Sequence, residues 1–184
     1  MTGDKTDNPS GKAPDPQENP LKRLVAVDRL PQKGAFHRVE VNDAERAALA
    51  AFLDLPSIEA LLAEFTVVGA GRNVKLTGKV TARVAQICGV TLEPFETKVS
   101  EEVELTFVPQ DRRPLSEEEI ERRRIDPPDE IVNGKIDLGQ VTSEFLALGL
   151  DPFPRKPGVV FESPAADEDE PSPFAALGKL RPKT

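Results

Sequence analysis

The chain has 184 residues, of which 38% are hydrophobic and 30% charged, with 18 prolines and a formal net charge of −8. That length carries one domain with a single core, and the proline and charge content places part of the chain outside it. The acidic balance argues against broad attraction to a phosphate backbone and favours a basic partner, while one Cys and one His exclude an intramolecular disulfide and a closed four-ligand zinc site.

The stretch Met1 to Asn19 is polar and almost without aliphatic side chains, so it cannot bury enough surface to offset its ordering entropy and is expected to be disordered. It lacks the apolar core of a signal peptide, and no apolar run approaches the roughly 18 residues of a membrane span, which predicts a soluble cytoplasmic protein. Leu21–Val27 and Phe36–Val41 are short β-type runs around the turn-rich Leu30-Pro31-Gln32-Lys33-Gly34, and they predict an N-terminal strand pair. Lys22, Arg23, Arg29, Lys33 and Arg38 make this the most basic part of the chain.

Asn42 and Glu45 have capping-box spacing before an alanine- and leucine-rich run, predicting a helix over about Asp43–Asp54 with a stripe of Ala48, Leu49, Phe52 and Leu53. Pro56 would end it, and Ser57 would cap a second short helix through Leu61, Leu62 and Phe65. Thr66-Val67-Val68 then opens a strand ending in Gly69-Ala70-Gly71. That glycine pair does not read as a nucleotide loop, because the residues from Val74 onward alternate like a strand instead of opening a helix.

From Val74 to Val108 the chain reads as a hairpin. Val74, Leu76, Val80, Ala82 and Val84 share one parity and Lys75, Thr77, Lys79, Thr81 and Arg83 the other. After the break Cys88–Phe95, a second arm places Val99, Val103, Leu105 and Phe107 opposite Glu102, Glu104 and Thr106. The row Lys75, Lys79, Arg83 is the best candidate for a binding face, together with Lys22, Arg23 and Arg29; the blander reading of the row is cross-strand pairing with Glu102 and Glu104.

Beyond Pro109, Ser116 with Glu119 predicts a solvated helix whose Glu117–Glu119 and Arg122–Arg124 match its dipole. Asp129–Gly134 reads as a loop. Asp137 then caps a helix bearing Leu138, Val141, Phe145 and Leu148 on one face and closed by Gly149. Val159-Val160-Phe161 is expected as a last edge strand. An acidic linker with Asp167, Glu168, Asp169 and Glu170 leads to Phe174, Leu177 and Leu180, either a docking motif or incidental amphipathicity.

Val84-Ala85-Gln86-Ile87-Cys88-Gly89-Val90-Thr91-Leu92-Glu93-Pro94-Phe95, then Gly134-Lys135-Ile136-Asp137-Leu138-Gly139 and Glu144-Phe145-Leu146-Ala147-Leu148-Gly149-Leu150-Asp151-Pro152-Phe153-Pro154-Arg155, resemble the YceD family, described as promoting large-subunit ribosomal RNA accumulation. The resemblance covers about Leu21 to Glu162, and the closing Pro173-Phe174-Ala175-Ala176-Leu177 is similar to the alphaproteobacterial branch. The family-motif positions are Cys88, Leu92, Pro94, Phe95, Asp137, Leu138, Gly139, Pro152 and Pro154. Many members carry Cys-x-x-Cys at the hairpin break and further cysteines near the C-terminal end, which implies metal binding there. This chain has Thr91 in place of the second cysteine and no replacement in Arg155–Gly158, so no metal or other cofactor is expected.

No acid pair, phosphate loop or aromatic stacking platform stands out, and the chain has no Trp or Tyr. A Cys88 hydrolase is the weakest alternative, with His37 the one imidazole on offer. The expectation is an α+β domain over residues 20–162, an antiparallel meander packed by short helices, between a disordered tail at 1–19 and an acidic tail at 163–184. Its expected role is non-enzymatic support of large-subunit ribosomal RNA accumulation, as a monomer contacting that RNA or a basic ribosomal protein, with no membrane and no small-molecule substrate. The alternative is an acidic interaction module acting on the RNA indirectly.

Overall fold

Strict alternation dictates the centre of the molecule. In a computed structural model, which describes residues 18–28, 30–31, 33–70, 73–109 and 129–161, the alternating arms form β4 (Asn73–Ile87) and β5 (Pro94–Pro109), paired antiparallel from Val74↔Phe107 to Ile87↔Pro94. Val74, Leu76, Val80, Ala82 and Val84 are buried from β4, and Val99, Val103 and Phe107 from β5. β2 (Ala35–Glu40), β3 (Ser57–Ala70) and the short β6 (Asp129–Ile131) complete a sheet of order β2-β3-β4-β5-β6. All its pairs are antiparallel except β5–β6. Helices α1 (Asp43–Phe52) and α2 (Leu138–Leu148) pack on this sheet with the two-stranded pair β1 (Leu24–Ala26) and β7 (Lys135–Asp137). The protein is therefore α+β with an antiparallel meander at its centre.

Four expectations about strands and loops are corrected. The N-terminal runs do form β1 and β2, but not as a pair: β1 pairs with β7 and β2 with β3. The helix expected after Ser57 is instead the first half of β3. A register shift between Ile58 and Ala60 leaves Glu59 as an extra residue, so Ile58 and Leu61 both face the core although three positions apart. That bulge mimics helical spacing; beyond it Leu61, Ala63, Phe65 and Val67 are buried at period two. Asp129–Gly134 is not a loop but β6 and a two-residue turn, where Val132 and Lys135 exchange backbone hydrogen bonds of 3.1 and 3.0 Å around Asn133 (φ 52°) and Gly134 (φ 70°). Asn-Gly is the residue pair that this turn favours, because both positions need positive φ. Finally, Val159–Phe161 adds no strand: Val160 and Phe161 are exposed and the segment turns back at Lys156, whose carbonyl accepts from the Val159 N–H at 3.2 Å.

The helices obey their caps. Asn42 Oδ1 accepts from the Glu45 N–H and Glu45 Oε2 from the Asn42 N–H, both at 3.0 Å. α1 stops before Pro56 is reached: Asp54 takes φ 54° while the Leu55 N–H bonds the Ala50 carbonyl at 2.8 Å, so a left-handed cap ends it. The buried face of α1 is Leu49 and Ala50 with Leu53 beside them, and Phe52 is half exposed. α2 buries Leu138, Val141, Thr142 and Leu146, whereas Leu148, expected on that face, is exposed. Gly149 keeps φ −82° rather than a left-handed cap, and its role is proximity, since a Cβ there would lie 2.5 Å from Val99 Cγ1. Asn73 opens a strand, so Gly69-Ala70-Gly71 lacks the helix a phosphate loop needs. Residues 1–17 of the N-terminal tail, the acidic tail with its Phe174–Leu180 segment, the Ser116 helix and Arg29 lie outside the described residues.

Candidate functional site

The outward faces of β2–β5 carry the basic row. Register places Arg38 opposite Glu64, Glu64 opposite Lys79, and Lys79 opposite Glu102, a ladder of alternating charge across four strands. Lys75 Nζ lies 2.6 Å from Glu104 Oε1, and this contact holds the Glu104 carboxyl below its usual range. Arg83 differs, standing opposite Lys98. The face is close to self-neutralised at its middle, as opposite charges in cross-strand pairs allow.

Lys22 and Arg23 do not join this row. Arg23 forks onto Glu45, with 2.8 and 2.9 Å to its two oxygens, tying the approach to β1 onto α1. Lys22 pairs with Glu18, which raises its pKa.

The family-motif positions fall into two clusters. Asp137 Oδ1 caps α2 through the N–H groups of Gly139 (2.9 Å) and Gln140 (3.3 Å), and also accepts from the Arg23 N–H at 2.7 Å. A Cβ on Gly139 would lie 2.5 Å from the Leu21 carbonyl oxygen, so only glycine lets the chain before β1 cross the helix start this closely. With Leu138 buried, this motif is structural.

The second cluster is the hairpin tip. The Leu92 N–H returns to the Cys88 carbonyl (2.9 Å), the Cys88 N–H donates to the Glu93 carbonyl (2.9 Å), and the Gly89 N–H donates to the Pro154 carbonyl (2.8 Å). The Lys156 N–H donates to the buried Cys88 Sγ at 3.3 Å. That amide, with donors from Thr91 and Val90, pulls the thiol pKa down to about 6. Leu92 holds φ 58° and is exposed at the tip. One thiol, a Thr91 hydroxyl and backbone amides do not make a zinc site, and among the described residues no three Cys, His, Asp or Glu side chains are placed to hold a metal. His37 is in register with Phe65 and so with Gly78, which puts it roughly 30 Å along the strands from Cys88. The structure does not assemble that dyad.

Sequence reasoning missed a groove of about 1000 Å³ on the other side of the sheet from the charge ladder. Phe52 and Leu53 at the end of α1, Leu105 and Phe107 on β5, Leu24 on β1 and Ile136 on β7 supply its apolar surface. Asp129 and Glu130 on β6, Glu144 on α2, Glu18 and Asp137 supply five carboxylates, against two cations, Lys22 and Lys135. Burial raises the pKa of Asp129, and the Glu144 charge raises it further. No spacing rule could have found this groove, because its walls come from six separate elements.

Over residues 76–181, more than half of the chain, the sequence matches the family described as Large ribosomal RNA subunit accumulation protein YceD, and the chain belongs to that family. No curated protein and no solved structure matches it. No helix among the described residues is long and apolar enough to cross a membrane.

Proposed function

We propose that this protein is a non-enzymatic cytoplasmic factor that supports accumulation of large-subunit ribosomal RNA by binding a basic ribosomal protein, free or on a precursor particle. The observation that carries this reading is the family match, which runs from β4 to residue 181. Electrostatics favour protein over RNA as the first contact. The net charge is −8, the cations Lys75 and Lys79 stand beside carboxylates, and the groove bordered by β5, β6 and α2 carries more carboxylates than cations. The separation of Cys88 from His37 removes the one nucleophile–imidazole pair the sequence offered.

Two measurements test the reading. A deletion strain should contain less large-subunit than small-subunit ribosomal RNA relative to its parent, and unchanged RNA ratios refute the role. The tagged protein should co-sediment with large-subunit precursors and stay with a ribosomal protein after nuclease treatment. Release of the protein alone by nuclease, together with loss of particle binding on reversing Lys75, Lys79 and Arg83, would make RNA the contact. An intact particle association in a strain with unchanged RNA would leave only an interaction module.

A further inference from the structure

The groove combines apolar contact surface with an excess of acid: Lys22 is paired with Glu18, and among the described residues Lys135 is the one other cation against Asp129, Glu130, Asp137 and Glu144. Leu24 is 61% exposed and Phe52 39% exposed, although both are large hydrophobic side chains beside a well-filled core. Such surface in a concavity marks a binding site more often than isolated exposed leucines do. At its rim Asp129, Glu130 and Glu144 form no ion pair among the described residues, and Asp129 feels the negative charge of Glu144. A cation between these two carboxylates would turn repulsion into attraction.

Three occupants meet part of this description. A nucleic acid brings phosphates to an acidic rim and is repelled. The chain's own end offers Phe174, Leu177 and Leu180 with Lys179, Arg181 and Lys183, a matching chemistry. Reaching the groove would require it to stretch well beyond its relaxed span, however. The chain is anchored at the hairpin tip through Lys156, and a flexible chain as long as the stretch from there to Phe174 typically spans about 20–25 Å. From that tip to Phe107 in the groove is about 40 Å along β5. The acidic run Asp167–Glu170 would also have to approach an acidic rim. A separate basic amphipathic segment meets every requirement.

We infer that the groove docks a basic amphipathic segment of a partner protein, with apolar side chains against Leu24 and Phe52 and a lysine or arginine between Asp129 and Glu144. The inference rests on the proposed ribosomal role only for the partner's class; the chemistry of the groove is independent of it. The binding mode is an apolar stripe laid into a groove, oriented by charge at the rim.

The test uses the full chain and a synthetic helical peptide with leucines at i, i+3, i+4 and i+7 and lysines elsewhere, followed by amide chemical shifts and by calorimetry. Shifts should concentrate at Leu24, Phe52, Val132 and Glu144. The double substitution Asp129→Asn, Glu144→Gln should weaken binding at least tenfold, Leu24→Ser should weaken it as well, and a peptide with glutamate for lysine should not bind. Each variant's amide spectrum reports whether it is folded. Equal affinity in the folded double variant, or shifts confined to the outer face of β2–β5, overturns the inference. So does tighter peptide binding after removal of residues 173–184, which would assign the groove to the chain's own end. Peptide binding in the groove of a protein whose deletion leaves ribosomal RNA unchanged keeps the groove and refutes the ribosomal role alone.

Discussion

Asp137 accepts a 2.7 Å hydrogen bond from the backbone N–H of Arg23, 114 positions away in the sequence. The same oxygen caps α2, so one carboxylate fixes both the helix start and the path of the chain entering β1. Replacing Asp137 by Ala removes a cap worth about 1 kcal/mol and leaves the part-buried Arg23 amide without its acceptor, about 1–3 kcal/mol more. Urea unfolding of Asp137→Ala should show a loss of about 2–4 kcal/mol, and Asp137→Asn, which keeps an acceptor, clearly less. Equal losses for the two variants would mean that the hydrogen bonds are not what holds this junction.

Phe65 is fully buried directly across from Gly78, where a Cβ would lie 2.6 Å from the Phe65 ring and 2.2 Å from the Glu64 carbonyl oxygen. The glycine is a gap that the ring fills. Gly78→Ala should therefore destabilise by about 1–3 kcal/mol through overpacking, and Phe65→Ala by about 3–5 kcal/mol through the cavity left behind. If Gly78→Ala unfolds at the wild-type urea midpoint, the strands can separate there and the close approach is not required.

Two ion pairs of similar length should differ in worth. Lys75–Glu104 joins exposed side chains, 54% and 72% accessible, so Lys75→Ala should change stability by less than about 0.5 kcal/mol. Glu45 closes the capping box as well as binding Arg23, and the Asn42 amide, then Arg23, hold its carboxyl below the usual range. Because that folded-state pKa is depressed, the stabilisation is complete above the ordinary carboxylate range and disappears as pH falls through and below it. Glu45→Gln should cost about 1 kcal/mol at pH 7, with the gap closing under acid. A gap that stays constant with pH would exclude the charge as its source.

The Cys88 thiol titrates near 6 in the fold against 9.0 for a free thiol. Its folded-state pKa is the lower one, so the thiolate adds stability that is full above about 9, shrinks as pH falls from 9 to 6, and is absent below. Urea midpoints of wild type and Cys88→Ser should therefore converge near about pH 5.5 and separate steadily toward about pH 9. Parallel midpoints across that range would show that the amides of Lys156, Thr91 and Val90 do not stabilise a thiolate.

The same hydrogen bonds tie the hairpin tip to Pro154–Lys156, and one thiol beside Thr91 offers no zinc ligand set. The purified protein should keep its amide spectrum and unfolding midpoint in excess chelator. One equivalent of zinc per chain, with unfolding on its removal, would contradict this.

What the sequence determined by itself was local. Alternation over Val74–Val108 is a property of neighbouring residues on a pleated strand, and it specified the β4–β5 pair, its buried parity and its charged outer face. The caps at Asn42 and Asp137 were equally legible, since a cap is chemistry within one helical turn. Asn133-Gly134 is likewise a local signal, since both positions hold the positive φ that a two-residue hairpin turn requires. The tertiary structure alone decided which strand each short run would pair with, because neither run carries a pairing signal of its own and only non-local register sends β1 to β7 and β2 to β3. It also decided Ile58–Phe65, where an extra residue at Glu59 gives a strand the spacing of a helix. The groove belongs wholly to this second class: Leu24, Phe52, Leu105, Asp129 and Glu144 are remote in sequence, and only packing of α1, α2 and β7 on the sheet brings their side chains to one surface.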